Sequence, residues 1–238
     1  MKLVHTKLAR SIWLFDLRDL NPKGEDLLGD LVSWVKDTYN FAVAPDPDNP
    51  VPNPPTPTSP IPQTAPVQAP GGLVFQRGNF QTQGEFFVSI TALTLYDDGI
   101  VVDTTSSTDD ADRFAGHLLR SAVEAFKVAF EPAVIRRKLY LSELVVRSEM
   151  SLESLHPALA TFATRLPSSV AGGQTLPFGV GAVSFWSEPN DAGQHRVFSV
   201  ERQLGRAFSE NRFYSQAPLQ THVHFGLLQE LESLVLAR

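Results

Sequence analysis

The stretch PDPDNPVPNPPTPTSPIPQTAPVQAP, residues 45–70, holds 11 of the chain's 18 prolines. Proline fixes φ and removes the backbone donor, so these residues are excluded from helices and from inner strands. They read as an extended, polyproline-like connector. At about 3.1 Å per residue it spans on the order of 80 Å, more than joining neighbouring elements requires. A loop of that length is usually functional or disordered. Everything that folds must therefore come from the residues before and after it.

Both flanks show clear periodicity. RSIWLFDL (10–17) is apolar and aromatic and predicts a buried strand, which Asn21-Pro22 ends. Leu27, Leu28, Leu31, Val32 and Val35 recur at helical spacing and predict an amphipathic helix over 24–39. After the connector, GLVFQRGNF predicts a short strand, and GEFFVSITALTLYDDGIVVDT predicts a strand, a turn and a second strand. DDADRFAGHLLRSAVEAF is helical in pattern, and KLYLSELVVRS (138–148) is strand-like. Leu152, Leu155, Leu159, Phe162 and Leu166 give the strongest helical signal in the chain. GVGAVSFW and HRVFSVER predict two strands joined by SEPNDAGQ, and Leu227, Leu228, Leu231, Leu234 and Val235 predict a C-terminal helix.

The resulting order is β-α-connector-β-β-β-α-β-α-β-β-α. Without its short extra strand, the first part is the split-βαβ, ferredoxin-like pattern. The expectation is an α+β fold: an antiparallel or mixed sheet, helices mainly on one face, and a C-terminal hairpin and helix. Residues 1–238 are expected to form a single domain with the connector at 45–70 inside it.

Composition narrows the function classes. Hydrophobic residues make up 42% of the 238 and charged residues only 19%, which allows a sizeable core and argues against disorder. The net charge is −6, so binding nucleic acid through phosphates is not expected, although Arg136, Arg137 and Lys138 run together. There are no cysteines, which excludes disulfides, thiolate metal sites and cysteine nucleophiles and fits a reducing, cytoplasmic compartment. No apolar run approaches the roughly 20 residues needed to cross a bilayer, and no signal peptide is visible. Arginine outnumbers lysine fourteen to six, as in proteins from GC-rich bacterial genomes.

YDDGIVVDTTSSTDD (96–110) concentrates Asp97, Asp98, Asp103, Asp109 and Asp110, with Asp112 following. Backbone needs account for most of them. Asp98-Gly99 suits a type I′ hairpin turn. Ser107 or Thr108 can cap a helix whose first turn carries Asp109, Asp110 and Asp112 against the positive end of the dipole. Asp97 and Asp103 remain. An alternative uses Asp16, at the end of the first strand, with Asp97 and Asp98 at the hairpin tip. The stretch FDLRDLNPKGEDLLGD resembles the opening of diguanylate-cyclase palms, where an acid, a later Asn and a Gly-Asp pair share similar spacing. That resemblance implies Mg²⁺ or Mn²⁺ held between Asp16, Asp97 and Asp98 for nucleotidyl or phosphoryl transfer. The family's glycine-glycine-acid-acid signature is replaced here by LYDDG.

Two other groups stand out. His222 and His224 in THVHF would share a face on a strand and bind a metal with a third ligand such as His195 or Glu201; on a helix they would diverge. VERQLGRAFSENRFYSQAPLQTH gathers Arg202, Arg206, Arg212, Phe213 and Tyr214, the composition of a protein interface or an anion pocket. No nucleophile elbow, phosphate loop or dinucleotide fingerprint is present. The leading expectation is a non-enzymatic binding or assembly protein, without cofactor, that meets a protein partner or its own copy through the 200–220 loop and the proline-rich segment. The alternatives are the palm-like enzyme and a small-ligand or nucleotide sensor.

Overall fold

The computed structural model describes residues 1–46, 72–81, 87–166, 178–189 and 195–237. Nearly all of the proline-rich connector lies outside the described residues. Eight strands and five α-helices follow in the order β1 (Lys2–Leu14), α1 (Leu17–Leu20), α2 (Leu28–Thr38), β2 (Leu73–Gln81), β3 (Phe87–Tyr96), β4 (Gly99–Thr104), α3 (Thr108–Phe126), β5 (Arg137–Arg147), α4 (Pro157–Ala163), β6 (Ala182–Trp186), β7 (Val197–Arg202), β8 (Arg212–Ala217) and α5 (Thr221–Leu236). The strands form one eight-stranded sheet ordered β2-β3-β4-β1-β5-β8-β7-β6. The hairpins β2–β3, β3–β4 and β6–β7, and the pairs β1–β4, β5–β8 and β7–β8, are antiparallel. The protein is therefore α+β.

Contacts divide the chain into two compact units, Leu8–Leu141 and Met1–Lys7 with Ser142–Arg238. In the 8–141 unit, α2 and α3 supply the apolar stripes that periodicity predicts. Val32 and Val35 are buried from α2, and Ala111, Phe114, Ala115, Leu118 and Leu119 from α3. They meet Phe75, Ile90, Leu93 and Val102 from the strands. Aromatic edges knit this core: Tyr39 lies edge-on to Phe114 with centroids 4.9 Å apart, and Phe80 to Phe114 at 5.4 Å. Helix α3 starts at Ser107, whose hydroxyl accepts from the Asp110 N–H at 3.1 Å. It ends at Lys127 in left-handed backbone, φ 58°.

In the other unit, Leu144, Val146, Val200 and Phe213 of the sheet pack with Met150, Leu152 and Leu228. The carboxylate of Glu232 on α5 accepts from the Ser148 hydroxyl at 2.7 Å and the Glu149 N–H at 2.8 Å, so a buried acid is satisfied by hydrogen bonds.

Four local expectations change. The first strand begins eight residues earlier, at Lys2 instead of Arg10. The helix expected over 24–39 starts later, as α2 at Leu28, behind Gly24 in left-handed backbone (φ 66°), and a one-turn helix that was not expected, α1, precedes it. The stripe from Leu152 to Leu166 is not one helix. A 3-10 turn over Leu152–Leu155 is followed by the short α4, because Pro157 forces His156 into extended backbone, φ −149° and ψ 96°. Finally, the hairpin turn is Asp97-Asp98, with Tyr96 opposite Gly99. Neither aspartate has positive φ, which excludes type I′; the unusual angle falls on Gly99, φ 153°. A Cβ there would sit 2.1 Å from the Trp13 carbonyl oxygen, so only glycine lets β4 approach β1 this closely.

Candidate functional site

Each aspartate of the acid-rich stretch has a local role or a defined place. Asp103 makes a two-pronged ion pair with Arg10, at 2.7 and 2.8 Å, across the β1–β4 pair. Asp110 closes the α3 cap by accepting from Ser107 Oγ at 2.8 Å and from Arg113 at 3.2 Å. Asp112 is not merely a helix-end charge. It accepts from Ser11, from Trp13 Nε1 at 2.8 Å and from Tyr140 Oη at 3.0 Å. Lys138 stands 3.5 Å from it and lies over the Trp13 ring, 3.7 Å from the centroid.

Asp16 and the hairpin tip come together, as the palm-like arrangement requires of the chain path. The Phe15 N–H donates to the Asp98 carbonyl and the Leu17 N–H to the Asp97 carbonyl. Asp16 and Asp98 both line an open cleft of about 440 Å³. Two arginines, Arg136 and Arg137, line it as well, and Asp16 caps α1 by accepting from the Arg18 N–H at 2.9 Å. Arg136 is 3.1 Å from Asp19 and 3.9 Å from Asp16. Among the described residues, no group of three or more His, Asp or Glu side chains is placed to hold a metal ion.

The histidine pair lies in the first turn of α5, so the two side chains diverge. His222 is exposed and His224 fully buried. Ser215 Oγ donates to the Ser199 carbonyl at 2.6 Å and therefore accepts from His224 Nε2 at 2.8 Å. Nδ1 then accepts from Ser142 Oγ at 2.7 Å. The ring is neutral and fully satisfied, and burial pushes its pKa down to about 4.

Residues 200–220 split between core, clamp and surface. Phe213 is fully buried in the core. The Arg202 guanidinium is spent internally: Nε donates to the Val180 carbonyl at 2.8 Å, Nη1 to the Phe208 carbonyl at 3.1 Å, and Nη2 to Glu153 at 2.6 Å. Tyr214 carries Lys7 over its ring, 4.9 Å from the centroid. Burial, then Glu143 and Glu201, push its phenol well above the ordinary value. Arg212 is half-buried, and its Nε has no partner among the described residues. Arg206 is exposed and stands 3.8 Å from Glu210. Around it, Leu204 is 93% exposed and Phe208 45%.

Two features escaped sequence reasoning. Strand β6 is an edge of the sheet, yet it reads Ala-Val-Ser-Phe-Trp, with Phe185 and Trp186 more than half exposed. The apolar composition was legible, but the edge position depends on strand order. The second is a cleft of about 420 Å³ whose lining includes Trp13, Gly116, Arg120, Arg137 and Lys138. Only the run at 136–138 hinted at it.

Comparison with protein-family models, with curated proteins and with solved structures finds no match for this chain. The α+β class is thus as far as fold and site define it. Among the described residues, no helix is long and apolar enough to cross a membrane.

Proposed function

We propose that this chain is a non-enzymatic binding and assembly protein that pairs with a second copy of itself through β6 and the adjoining loop at 203–211. The carrying observation is the uncharged, aromatic edge strand β6. Natural edge strands are normally blunted by lysine, proline, bulges or a covering segment. Residues 182–186 have neither lysine nor proline, and among the described residues nothing pairs with the strand's outer side. An edge of this kind can pair about a two-fold axis, where one strand meets its own copy antiparallel. The loop is continuous with it: Arg202 ties the carbonyls of Val180 and Phe208 together, and the Phe208 ring lies where a Gly179 side chain would be. Leu204, Arg206 and Phe208 extend the surface with the apolar and arginine chemistry of interfaces.

The absence of cysteines supports a cytoplasmic setting, and the Arg-rich composition a bacterial one. The order β3-β4-β1-β5, with α2 and α3 as the crossing helices, supports reading this part as a split-βαβ core.

Light scattering over a range of concentrations tests the assembly. The parent should dimerise, and Trp186→Glu with Phe185→Lys should be a folded monomer. A parent that stays monomeric at high concentration removes the proposal. The second reading, metal-dependent phosphoryl transfer at Asp16, Asp97 and Asp98, is favoured by the cleft that Asp16 and Asp98 share. Calorimetry with Mn²⁺ on the parent and on Asp98→Asn separates it: saturable heat lost in the variant supports it.

A further inference from the structure

In a chain of net charge −6, Arg120 of α3 and the run Arg136, Arg137 and Lys138 line one cleft with Trp13 and Phe130. We infer that this cleft binds a small phosphorylated ligand with a planar ring, a nucleoside di- or triphosphate in chemical class. The site lies wholly within the 8–141 unit and is independent of the assembly surface.

Charge is the first argument. Arg136 is committed to Asp19 and Asp16, and Lys138 to Asp112. Asp112 is in turn engaged by Ser11, Trp13 and Tyr140, so its charge is already well solvated by protein donors. Arg120 and Arg137 have no carboxylate within ion-pair distance among the described residues, and both are exposed. Two guanidiniums at one cleft, each offering a fork of donors, match phosphate oxygens.

Gly116 is the second argument. It lies inside the 19-residue α3, in ordinary helical backbone and buried, where glycine is among the weakest helix formers. No turn or left-handed angle requires it. A Cβ there would sit 3.3 Å from Arg120 Nη1 and 3.5 Å from Trp13 Cη2. The missing side chain keeps the cleft floor open between the cation and the indole edge.

Shape and the remaining walls set the ligand class. About 420 Å³ is within the range of small-molecule pockets, and Phe130, Pro132 and Ile135 give an apolar wall for a ring. The neighbouring cleft, lined by Asp16 and Asp98, shares Arg136 and Arg137, so its acids repel phosphates towards Arg120. A long nucleic acid would also have to cross a surface of net negative charge, which a small anion does not.

The test is calorimetric titration of the full chain with ATP, tripolyphosphate and a single-stranded DNA oligonucleotide, at low and physiological salt. ATP should bind saturably, and each of Arg120→Gln and Arg137→Gln should weaken it about tenfold. Gly116→Ala should weaken it comparably while its Tm stays at or above the parent's, which separates a filled cleft from a damaged fold. Four results overturn the proposal: no ATP binding at millimolar concentration, unchanged affinity in the two arginine variants, tripolyphosphate equal to ATP, or the oligonucleotide binding more tightly than ATP.

Discussion

At one margin of the sheet, residues 39–43 lie along β2; at the other, β6 pairs with β7 on one side, and no described residue pairs with its outer side. Val43 bridges Gln76 in both directions, at 2.9 and 3.2 Å, and the Asn79 N–H donates to the Tyr39 carbonyl at 2.7 Å. The Phe41 ring lies against Gly78, where a Cβ would come within 2.4 Å of the ring. Arg77 adds a left-handed residue, φ 58°, that interrupts the regular edge. β2 is thus closed three ways, by pairing, by an aromatic plate and by irregular backbone. Among the described residues, β6 has none of these. At the β2 margin, protection is added by the neighbouring chain segment 39–43.

The helices repeat the contrast. α3 buries eight of its residues, whereas α4 buries only Ala163 and leaves Leu159 and Phe162 exposed. The periodic stripe is split at Pro157, and the helix that starts there runs for only seven residues.

The largest effect should come from removing the plate on β2. Phe41→Ala should cost about 3–5 kcal/mol in urea unfolding and strip the aromatic plate from the β2 margin. A loss under about 1 kcal/mol would show that the plate matters little and would weaken the comparison.

Next comes His224, beneath the sheet of the β6 unit. Its folded pKa is depressed below the unfolded value of 6.5, so the unfolded state binds the proton more readily. Stability is full above about pH 6.5 and is lost as pH falls towards 4, by on the order of 3 kcal/mol. His224→Asn should flatten that window in unfolding measured from pH 7 to pH 4. An unchanged slope would mean that the buried ring does not govern the acid sensitivity of this unit.

A smaller loss is expected at the clamp that holds the loop beside β6. Arg202→Gln removes the ion pair to Glu153 and should cost about 1.5–3 kcal/mol. It should also raise hydrogen exchange in 203–211 before it affects β8. The smallest change is on α4. Leu159→Ser with Phe162→Ser should alter stability by no more than about 0.5 kcal/mol per site, as surface substitutions do. A larger loss would show that these side chains are packed in solution and that the two helices differ less than their exposure indicates.

Much of the fold was legible along the chain. The 3.6-residue stripe of α3, the Ser107 cap and the strand–turn–strand of β3 and β4 depend on local chemistry, and each stands within a residue or two of its expected place. The sequence leaves the His222–His224 pair undecided between strand and helix, and α5 resolves it. The site was much less legible. Phe213 and Arg206 sit seven residues apart in one arginine- and aromatic-rich segment, yet one is core and the other surface. Composition cannot assign a side to each residue of an irregular segment.

By itself, the sequence determined the α+β class, the elements on either side of the connector and a cap for α3 at Ser107 or Thr108, because these follow from periodicity and backbone preference over a few residues. Only the tertiary structure decided that β6 is a margin, that Asp112 faces Trp13 and Tyr140, and that Arg120 and Arg137 share a cleft. Those facts depend on which strands and helices become neighbours, and that pairing is selected by packing across the whole sheet.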